Sequence, residues 1–275
     1  TWEMDWCSVY SARTLTLPDY RAGRTLFIGD AAHLLPIFGV RGANTGFQDA
    51  QALAWRLGLI CSGQAPESLL ASYSTERVGA AWEIIDEAGK STRFMTPPSR
   101  GFRLLRDAVL SLSLTEAFVR PLYHWRTSRP HEYTASALNS AGDDNALFQS
   151  GPAHGAPPAN VRLGADDFLL DHLGGGFDLL VFGATVPADV QATVKAWKDK
   201  GLKLRVLLIG QGASASGADL CLHDTEGRAR ARWGVRTDGA AYLLRPDQHV
   251  CARWMTLDAH RLNAALNQAT TGAAQ

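Results

Sequence analysis

The sequence lacks an excess of charge of either sign. Its 275 residues contain 27 Lys and Arg against 27 Asp and Glu, so the formal net charge is zero. Proteins that bind nucleic acid or an anionic membrane usually present a basic surface. The composition therefore gives no reason to expect either partner.

Long apolar runs and paired cysteines are missing as well. No stretch approaches the ~20 residues of a membrane-spanning helix, and the first residues, TWEMDWCSVY, lack the basic and then apolar order of a signal peptide. The four cysteines, Cys7, Cys61, Cys221 and Cys251, show neither CxxC spacing nor a metal-binding pattern with histidines. We expect a globular cytoplasmic protein with reduced thiols and no bound metal.

Two common catalytic signatures are also absent. The dinucleotide-binding fingerprint G-x-G-x-x-G does not occur. Gly-x-Ser-x-Gly, the nucleophile elbow of serine hydrolases, is also missing. Gly210-Gln211-Gly212 lacks the final glycine and the following helix of a phosphate loop, and Gly174–Gly176 is interpreted as a turn. The chain therefore offers no ADP-binding βαβ unit of its own.

The most informative stretch runs from Arg24 to Leu57. Thr25–Ile28 is a short apolar run that predicts a buried β-strand, and it stops at Gly29-Asp30. In open α/β sheets ligands bind beyond the carboxyl ends of the strands. The pattern therefore predicts that the Asp30 carboxylate is presented at a ligand-binding edge.

A loop and a helix follow this predicted strand. Residues 36–42 cannot continue regular structure, because Pro36 lacks an N–H donor and Gly39 and Gly42 favour turns. Asn44 is a residue of helix-capping type, and the free amides at a helix start favour electron-rich or anionic ligand atoms. From Ala43 the spacing predicts a helix with one apolar face: Phe47, Ala50, Leu53, Ala54 and Leu57.

These residues resemble the second flavin-binding motif of the FAD-dependent aromatic hydroxylases, the para-hydroxybenzoate hydroxylase type of flavoprotein monooxygenase. The resemblance covers roughly the first 95 residues, and many matched positions in order make it specific. Ile37 and Val40 depart from the pattern, since a second proline and a second glycine are common there. The matching residues are Gly29–His33, Pro36, Gly39, Gly42, Asn44–Gly46, Asp49, Ala50 and Leu53–Leu57, with Gly23, Arg24, Leu69, Leu70, Tyr73, Glu76 and Arg77 around them.

The resemblance implies which residues hold FAD and substrate. Asp30 would bind the ribityl chain, the loop at Pro36–Gly39 would lie beside the isoalloxazine and the substrate, and Gly42–Asn44 would face the flavin pyrimidine. The candidate cofactor residues are Gly29, Asp30, Pro36, Gly39, Arg41, Gly42, Ala43 and Asn44. The candidate substrate residues are Pro36, Ile37 and Phe38.

Arg41 and His33 have alternative interpretations. Arg41 could contact the flavin, an acidic substrate, or only solvent. His33 could act as an acid, but a histidine in a strand-to-loop turn is more often a hydrogen-bonded structural residue. Pro36 and His33 are therefore weak catalytic candidates, and no residue is required to act as a nucleophile.

The reaction implied by the resemblance uses NADPH or NADH to reduce FAD. Dioxygen then adds at the flavin C4a position, and the resulting hydroperoxide transfers a hydroxyl group to a phenolic ring. The chain resembles the carboxyl-terminal half of such an enzyme, so its expected partners are the amino-terminal half, a small aromatic substrate and a second subunit. Two alternatives remain: another FAD-dependent oxidoreductase or halogenase, or a non-catalytic interaction module with a decayed flavin motif.

Beyond the motif, helical spacing predicts helices over residues 66–93 and 101–125, with Tyr73 and Trp82 in the core. Residues 127–158 are rich in Ser, Asn, Gly and Pro, which is typical of a linker. The predicted organisation is a flavin-binding portion over residues 1–126, a linker over 127–158 and a separate domain over 159–275.

The last segment alternates strands and helices. Strands are predicted over 177–182, 204–209, 240–244 and 249–254, with helices over 187–200 and 257–268. This order is that of a thioredoxin-like domain, with Ala184–Pro187 where CxxC would lie. Tyr242–Asp247, Val250, Arg253 and Trp254 resemble the carboxyl-terminal extension of phenol and 3-(3-hydroxyphenyl)propionate hydroxylases.

The predicted fold class is therefore α/β. It consists of the carboxyl-terminal part of an FAD-binding, glutathione-reductase-like domain with a helical segment, followed by a thioredoxin-like α/β domain without a CxxC pair.

Overall fold

The chain divides into two compact units in a computed structural model. The first unit comprises Thr1–Ala50 and Arg77–Arg129, and the second comprises Gln51–Glu76 and Pro130–Gln275. No helix in the described part of the chain is both long enough and apolar enough to cross a membrane. The structure describes residues 2–9, 11–37, 41–123, 130–140, 144–211 and 217–272.

The first unit begins with short strands. Strands β1 (Leu15–Thr16), β2 (Arg21–Ala22), β3 (Thr25–Leu26) and β4 (His33–Leu34) form two antiparallel pairs, β1 with β4 and β2 with β3. The predicted buried strand over residues 25–28 is wrong in length and burial, because only two residues pair and Ile28 is 42% exposed. Within the described residues β3 pairs with β2 alone, so no sheet covers it.

Helix α1 (Gly42–Cys61) confirms the predicted helix, but not its predicted apolar face. Phe47 is 73% exposed, whereas the charged residues Asp49 and Arg56 are fully buried. The reason is that both charged side chains find buried partners of opposite charge. Apolar spacing alone could not show that the helix buries this paired polar stripe.

The predicted helix over residues 66–93 corresponds to α2 (Leu70–Met95), whereas the predicted helical region over residues 101–125 is interrupted at residues 113–116. Helix α2 buries Tyr73, as predicted, but leaves Trp82 57% exposed, so the core assignment of Trp82 is wrong. Helix α3 (Arg100–Leu112) begins after Ser99, whose Oγ accepts a hydrogen bond from Phe102 N. Helix α4 (Arg120–Tyr123) follows, and residues 124–129 lie outside the described part of the chain.

The second unit contains a five-stranded sheet. Strands β5, β6 and β7 are parallel to one another, and β8 and β9 add antiparallel strands on the other side, which gives the order β7-β6-β5-β8-β9. Strands β5 and β8 have the predicted bounds, whereas β7 and α6 were not predicted. In chain order the elements are β5 (Phe177–Phe182), α5 (Ala188–Asp199), β6 (Leu204–Gly210), β7 (Leu220–His223), α6 (Arg228–Arg232), β8 (Ala240–Leu244), β9 (Val250–Trp254) and α7 (Ala259–Thr271).

Hydrophobic clusters cover both faces of this sheet. Leu179 and Val181 of β5 belong to a cluster that includes residues of α5 and α7. Leu180 and Phe182 belong to a second cluster, which includes Trp233. Successive residues of a strand point to opposite faces, so a strand covered on both sides is an unbroken apolar run. This explains why β5 could be located from the sequence.

The predicted linker contains residues that pack against β9. Ser140 N donates to Cys251 O at 2.7 Å, and Gly155 N donates to Val250 O at 2.8 Å. Tyr133 and Leu138 in the same segment are buried. The described residues of the segment therefore form an irregular, packed part of the second unit, in which Gly and Pro supply turns.

Candidate functional site

Six of the eight predicted cofactor residues line one cavity in the first unit, which we name the Asp30 cavity. Its volume is about 640 Å³. Asp30 lines it from the turn after β3, and Gly42, Ala43 and Asn44 line it from the start of α1. Gly29 precedes Asp30 but is not among the lining residues, and Phe38 and Gly39 lie outside the described part of the chain. The lining residues are Ser11, Arg13, Asp30, Leu34, Leu35, Pro36, Ile37, Arg41, Gly42, Ala43 and Asn44.

Glycines bring the Asp30 turn close to α1. Gly29 has φ +56°, a conformation that residues with a Cβ adopt reluctantly, and it opens the short 3-10 turn Gly29–Ala31. A Cβ at Gly46 on α1 would lie 3.5 Å from Gly29 Cα, so a bulkier side chain there would push the turn away. The backbone contact between these two glycines places Asp30 beside the first turn of the helix.

The start of α1 supplies partial positive charge to the cavity. Thr45 N donates to Arg41 O at 2.9 Å, so the amides of Gly42 and Ala43 precede the first bond of the helical ladder. Such amides, together with the helix dipole, favour anionic or electron-rich atoms. Arg13 and Arg41 add two guanidinium groups, while Asp30 adds one carboxylate that can accept hydrogen bonds from hydroxyl groups.

Behind the cavity, the buried Asp49 connects three elements. Its Oδ2 lies 2.6 Å from His33 Nε2 and accepts a hydrogen bond from Gly29 N at 3.0 Å. Its Oδ1 accepts from Arg77 Nε at 2.6 Å, and Arg77 Nη2 also donates to Thr45 O. Asp49 therefore ties the Asp30 turn and β4 to helices α1 and α2.

The charges around Asp49 determine its protonation. Burial by itself raises the pKa of this carboxyl, but the hydrogen bond with His33 and the charge of Arg77 outweigh it, so the pKa is lowered below its ordinary value. Asp49 therefore stays ionised at neutral pH. His33 is 2% exposed and is not among the residues that line the cavity, which supports the structural alternative for it.

Sequence reasoning assigned no role to Asp49 or Arg77, although both belong to the matched motif. A signal was present, because Thr45, Asp49 and Arg56 recur at spacings of four and seven residues along α1. Such spacings place polar side chains on one face of a helix. That face, rather than the face of Phe47, is the buried one.

Part of the chain matches a known family model. Residues 1–88 match the family model described as the FAD binding domain. The match confirms the predicted resemblance to FAD-dependent aromatic hydroxylases and the expectation of FAD as cofactor.

Curated relatives are hydroxylases and monooxygenases. The chain is 32% identical over 269 residues to 4-methyl-5-nitrocatechol 5-monooxygenase from Burkholderia sp., and the match covers 93% of this chain and 45% of that protein. It is 26% identical over 264 residues to 3-(3-hydroxy-phenyl)propionate/3-hydroxycinnamic acid hydroxylase from Mycolicibacterium vanbaalenii, with 94% and 46% covered. The chain thus spans about half the length of the curated relatives it matches. This partial coverage fits the resemblance to one half of such an enzyme.

Solved structures show the same mixed helix and sheet fold. A ternary complex of aklavinone-11 hydroxylase with FAD and aklavinone matches with a TM-score of 0.71 and 26% identity, over 95% of this chain and 46% of that one. The rebeccamycin biosynthetic enzyme RebC with reduced flavin matches with a TM-score of 0.68 and 26% identity, over 93% and 46%. The fold therefore resembles that of FAD-binding flavoprotein hydroxylases.

Proposed function

We propose that the whole protein is an FAD-dependent monooxygenase that hydroxylates a small phenolic or aromatic substrate with O2 and NADPH or NADH. This chain supplies its carboxyl-terminal half, and the amino-terminal half of the same enzyme is its partner. The observation that carries the proposal is that the Asp30 carboxylate and the first amides of α1 line one cavity. A flavin needs an acceptor for its ribityl hydroxyl groups. It also needs hydrogen-bond donors for the electron-rich pyrimidine edge of its ring.

The residues around the cavity fit distinct parts of FAD. In the proposed complex Asp30 would accept hydrogen bonds from ribityl hydroxyls, and the amides of Gly42–Asn44, with Arg41 beside them, would hold the flavin pyrimidine. Pro36 and Ile37, together with Phe38, contact the substrate. The cofactor, once bound, supplies the redox and dioxygen chemistry. The chain orients the ring, excludes water and, through the α1 amides, stabilises negative charge on the reduced flavin.

We further propose a thioredoxin-like domain over residues 159–275, joined to the flavin-binding portion over residues 1–126 by the segment 127–158. The sheet order supports it, because β5, α5 and β6 form a parallel pair with a helical connection and β8 and β9 continue the sheet antiparallel before α7. Ala184–Pro187 stands where the redox cysteines would lie, so we expect a structural or a dimer-contact role for this domain rather than thiol chemistry. None of the four cysteines forms a disulfide, which fits a cytoplasmic enzyme.

The test is FAD retention by Asp30→Ala in the full-length protein. A hydrogen bond to a charged group contributes about 1.5–3 kcal/mol, which corresponds to roughly 10- to 100-fold weaker FAD binding. Asp107→Ala, which removes an exposed carboxylate from α3, is the matched control and retains FAD. Full flavin occupancy in purified Asp30→Ala would refute the cofactor assignment.

A visible spectrum and an activity assay separate the alternatives. A yellow protein whose NAD(P)H oxidation is stimulated by phenols supports the monooxygenase. A yellow protein without that stimulation indicates another FAD-dependent oxidoreductase or a halogenase, and a colourless one indicates an interaction module.

A further inference from the structure

A second cavity lies wholly within the second unit, and no step of the proposed reaction uses it. Its volume is about 450 Å³, within the range of roughly 300–1,000 Å³ typical of small-molecule sites. It is lined by the last turns of α1, by Gly175 and Gly176 before β5, and by residues 201–203 before β6. We name it the Trp55 cavity.

Two aromatic rings form one corner of the Trp55 cavity. The rings of Trp55 and Phe177 have centroids 6.0 Å apart and lie nearly perpendicular, at 83°. The Trp55 ring is held in place, because its Nε1 donates to Asp247 Oδ2 at 3.0 Å and the Arg56 guanidinium lies 4.5 Å from its centroid. Phe177 is only 1% exposed, so the ring that a ligand can reach at this corner is that of Trp55, on which a ligand ring can stack.

The opposite walls are largely backbone. A Cβ at Gly58 or Gly175 would meet no atom within 4 Å, so space is open beside both. A Cβ at Gly176 would lie 2.4 Å from Lys203 O, so that position excludes any side chain. Walls without side chains let a flat ring approach the peptide planes, whereas a branched aliphatic molecule would use this space poorly.

The cavity also has a single charge. Lys203 is the one charged side chain among the described lining residues, and it is exposed. The nearby carbonyls at the end of α1 are engaged elsewhere, since Gly58 O accepts from Ser62 N and Leu59 O accepts from Gln64 N. No carboxylate pairs with Lys203 within the described part of the chain, so its ammonium can meet an anionic ligand group.

We propose that the Trp55 cavity is a second ligand site that binds a flat aromatic carboxylate. The ring lies between Trp55 and the glycine walls, and the carboxylate pairs with Lys203. This site is separate from the Asp30 cavity and takes no part in holding FAD.

The experiment is calorimetric titration of the full-length protein with 2-naphthoate. Gly58→Leu adds a side chain where the helix faces the cavity, and we expect it to abolish binding at this site. Gly58→Ala is its matched control, since it makes the same change of backbone freedom without filling the cavity, and it retains binding. FAD content is measured in every variant and stays unchanged, because neither substitution touches the Asp30 cavity.

A separate variant tests whether Lys203 pairs with the ligand carboxylate. Lys203→Met keeps the length of the side chain and removes its charge, so we expect about tenfold weaker binding of 2-naphthoate and no change for the uncharged 2-naphthalenemethanol. Lys195→Met, at an exposed lysine of α5 outside the cavity, leaves both affinities unchanged.

Two results would overturn the proposal. Equal affinity for 2-naphthoate in Gly58→Leu and the unsubstituted protein would place any binding elsewhere, including the substrate side of the flavin. Equal affinity for 2-naphthoate in Lys203→Met and the unsubstituted protein would show that the ligand carboxylate does not pair with Lys203. Because Lys203 is exposed, its replacement tests the site even where Gly58→Leu fails to fold.

Discussion

Asp49 shows how one buried residue can organise the walls of the Asp30 cavity without lining it. Its carboxylate joins Gly29 N, His33 and Arg77, and its side chain is fully buried. A buried ion pair adds little net stability over an apolar pair of the same shape, but removing one partner leaves an uncompensated charge. The geometry of the Asp30 turn therefore depends on Asp49.

We expect Asp49→Ala to destabilise the protein by about 3–5 kcal/mol, because the buried Arg77 guanidinium would lose the carboxylate with which it is paired. Urea unfolding followed by fluorescence measures the change. Asp86→Ala, which removes a carboxylate that is 66% exposed and paired with Lys90, is the control and should change stability by less than about 1 kcal/mol. A small effect at Asp49 would mean that the site does not depend on it.

The lowered pKa of Asp49 predicts that the stability of the protein falls in acid. The native pKa of Asp49 is lowered, so its contribution to stability is fully present above about pH 4 and is lost as the pH falls through the native pKa. Flavin release measured in titration from pH 5 downward should therefore coincide with loss of the His33 and Asp49 contact. If FAD stays bound while the histidine resonances of His33 change, Asp49 does not position the cofactor site.

At the scale of elements, a buried network joins helices to the sheet of the second unit. Glu76 of α2 accepts from Arg56 of α1 at 2.6 Å and from Arg245, just after β8, at 2.6 Å and 3.0 Å. Arg245 is also paired with Asp247, and Ser136 donates to Glu76. Two arginines and two carboxylates give the network no net charge, which makes their burial tolerable.

This network predicts a second dependence on pH. Burial raises the pKa of Glu76, but Arg245 and Arg56 outweigh it and lower the pKa to about 2. The contribution of Glu76 is therefore present above about pH 4.5 and is lost as the pH falls toward 2, a change of the order of 3 kcal/mol. We expect Glu76→Gln to flatten the stability profile over this interval, as measured by urea unfolding at each pH.

The control for Glu76→Gln is Glu226→Gln, in which the replaced carboxylate is 64% exposed. It should leave the profile unchanged, because exposed pairs contribute little. An equal slope in Glu76→Gln and the unsubstituted protein would show that the network does not depend on the charge of Glu76.

At the scale of the whole molecule, bound FAD should stabilise only the part of the chain that forms the proposed cofactor site. A ligand that binds the native state stabilises it by RT ln(1 + [L]/Kd), about 2.7 kcal/mol at 100 times Kd. We expect FAD to slow hydrogen exchange at residues 29–30 and 42–44 and to leave β5 and β8 unchanged. The slowing should vanish in Asp30→Ala, and equal slowing across both units would contradict the placement of the site.

The sequence by itself determined much of the fold and of the candidate site. Apolar runs covered on both faces located β5 and β8 to the residue, and helical spacing located α1, α2, α5 and α7. The motif after β3 located most of the residues that line the Asp30 cavity. These features depend on local conformational preferences and on the period at which apolar residues recur. Both are properties of residues that are close together in the sequence.

Only the tertiary structure decided which faces are buried. Phe47 and Trp82 are exposed, whereas Asp49, Arg56 and Arg245 are buried. A charge can be buried only where a partner neutralises it, and the partners here lie far along the chain: Arg77 is 28 residues from Asp49, and Arg245 is 169 from Glu76. Neither the periodicity nor the composition of a local stretch contains that information.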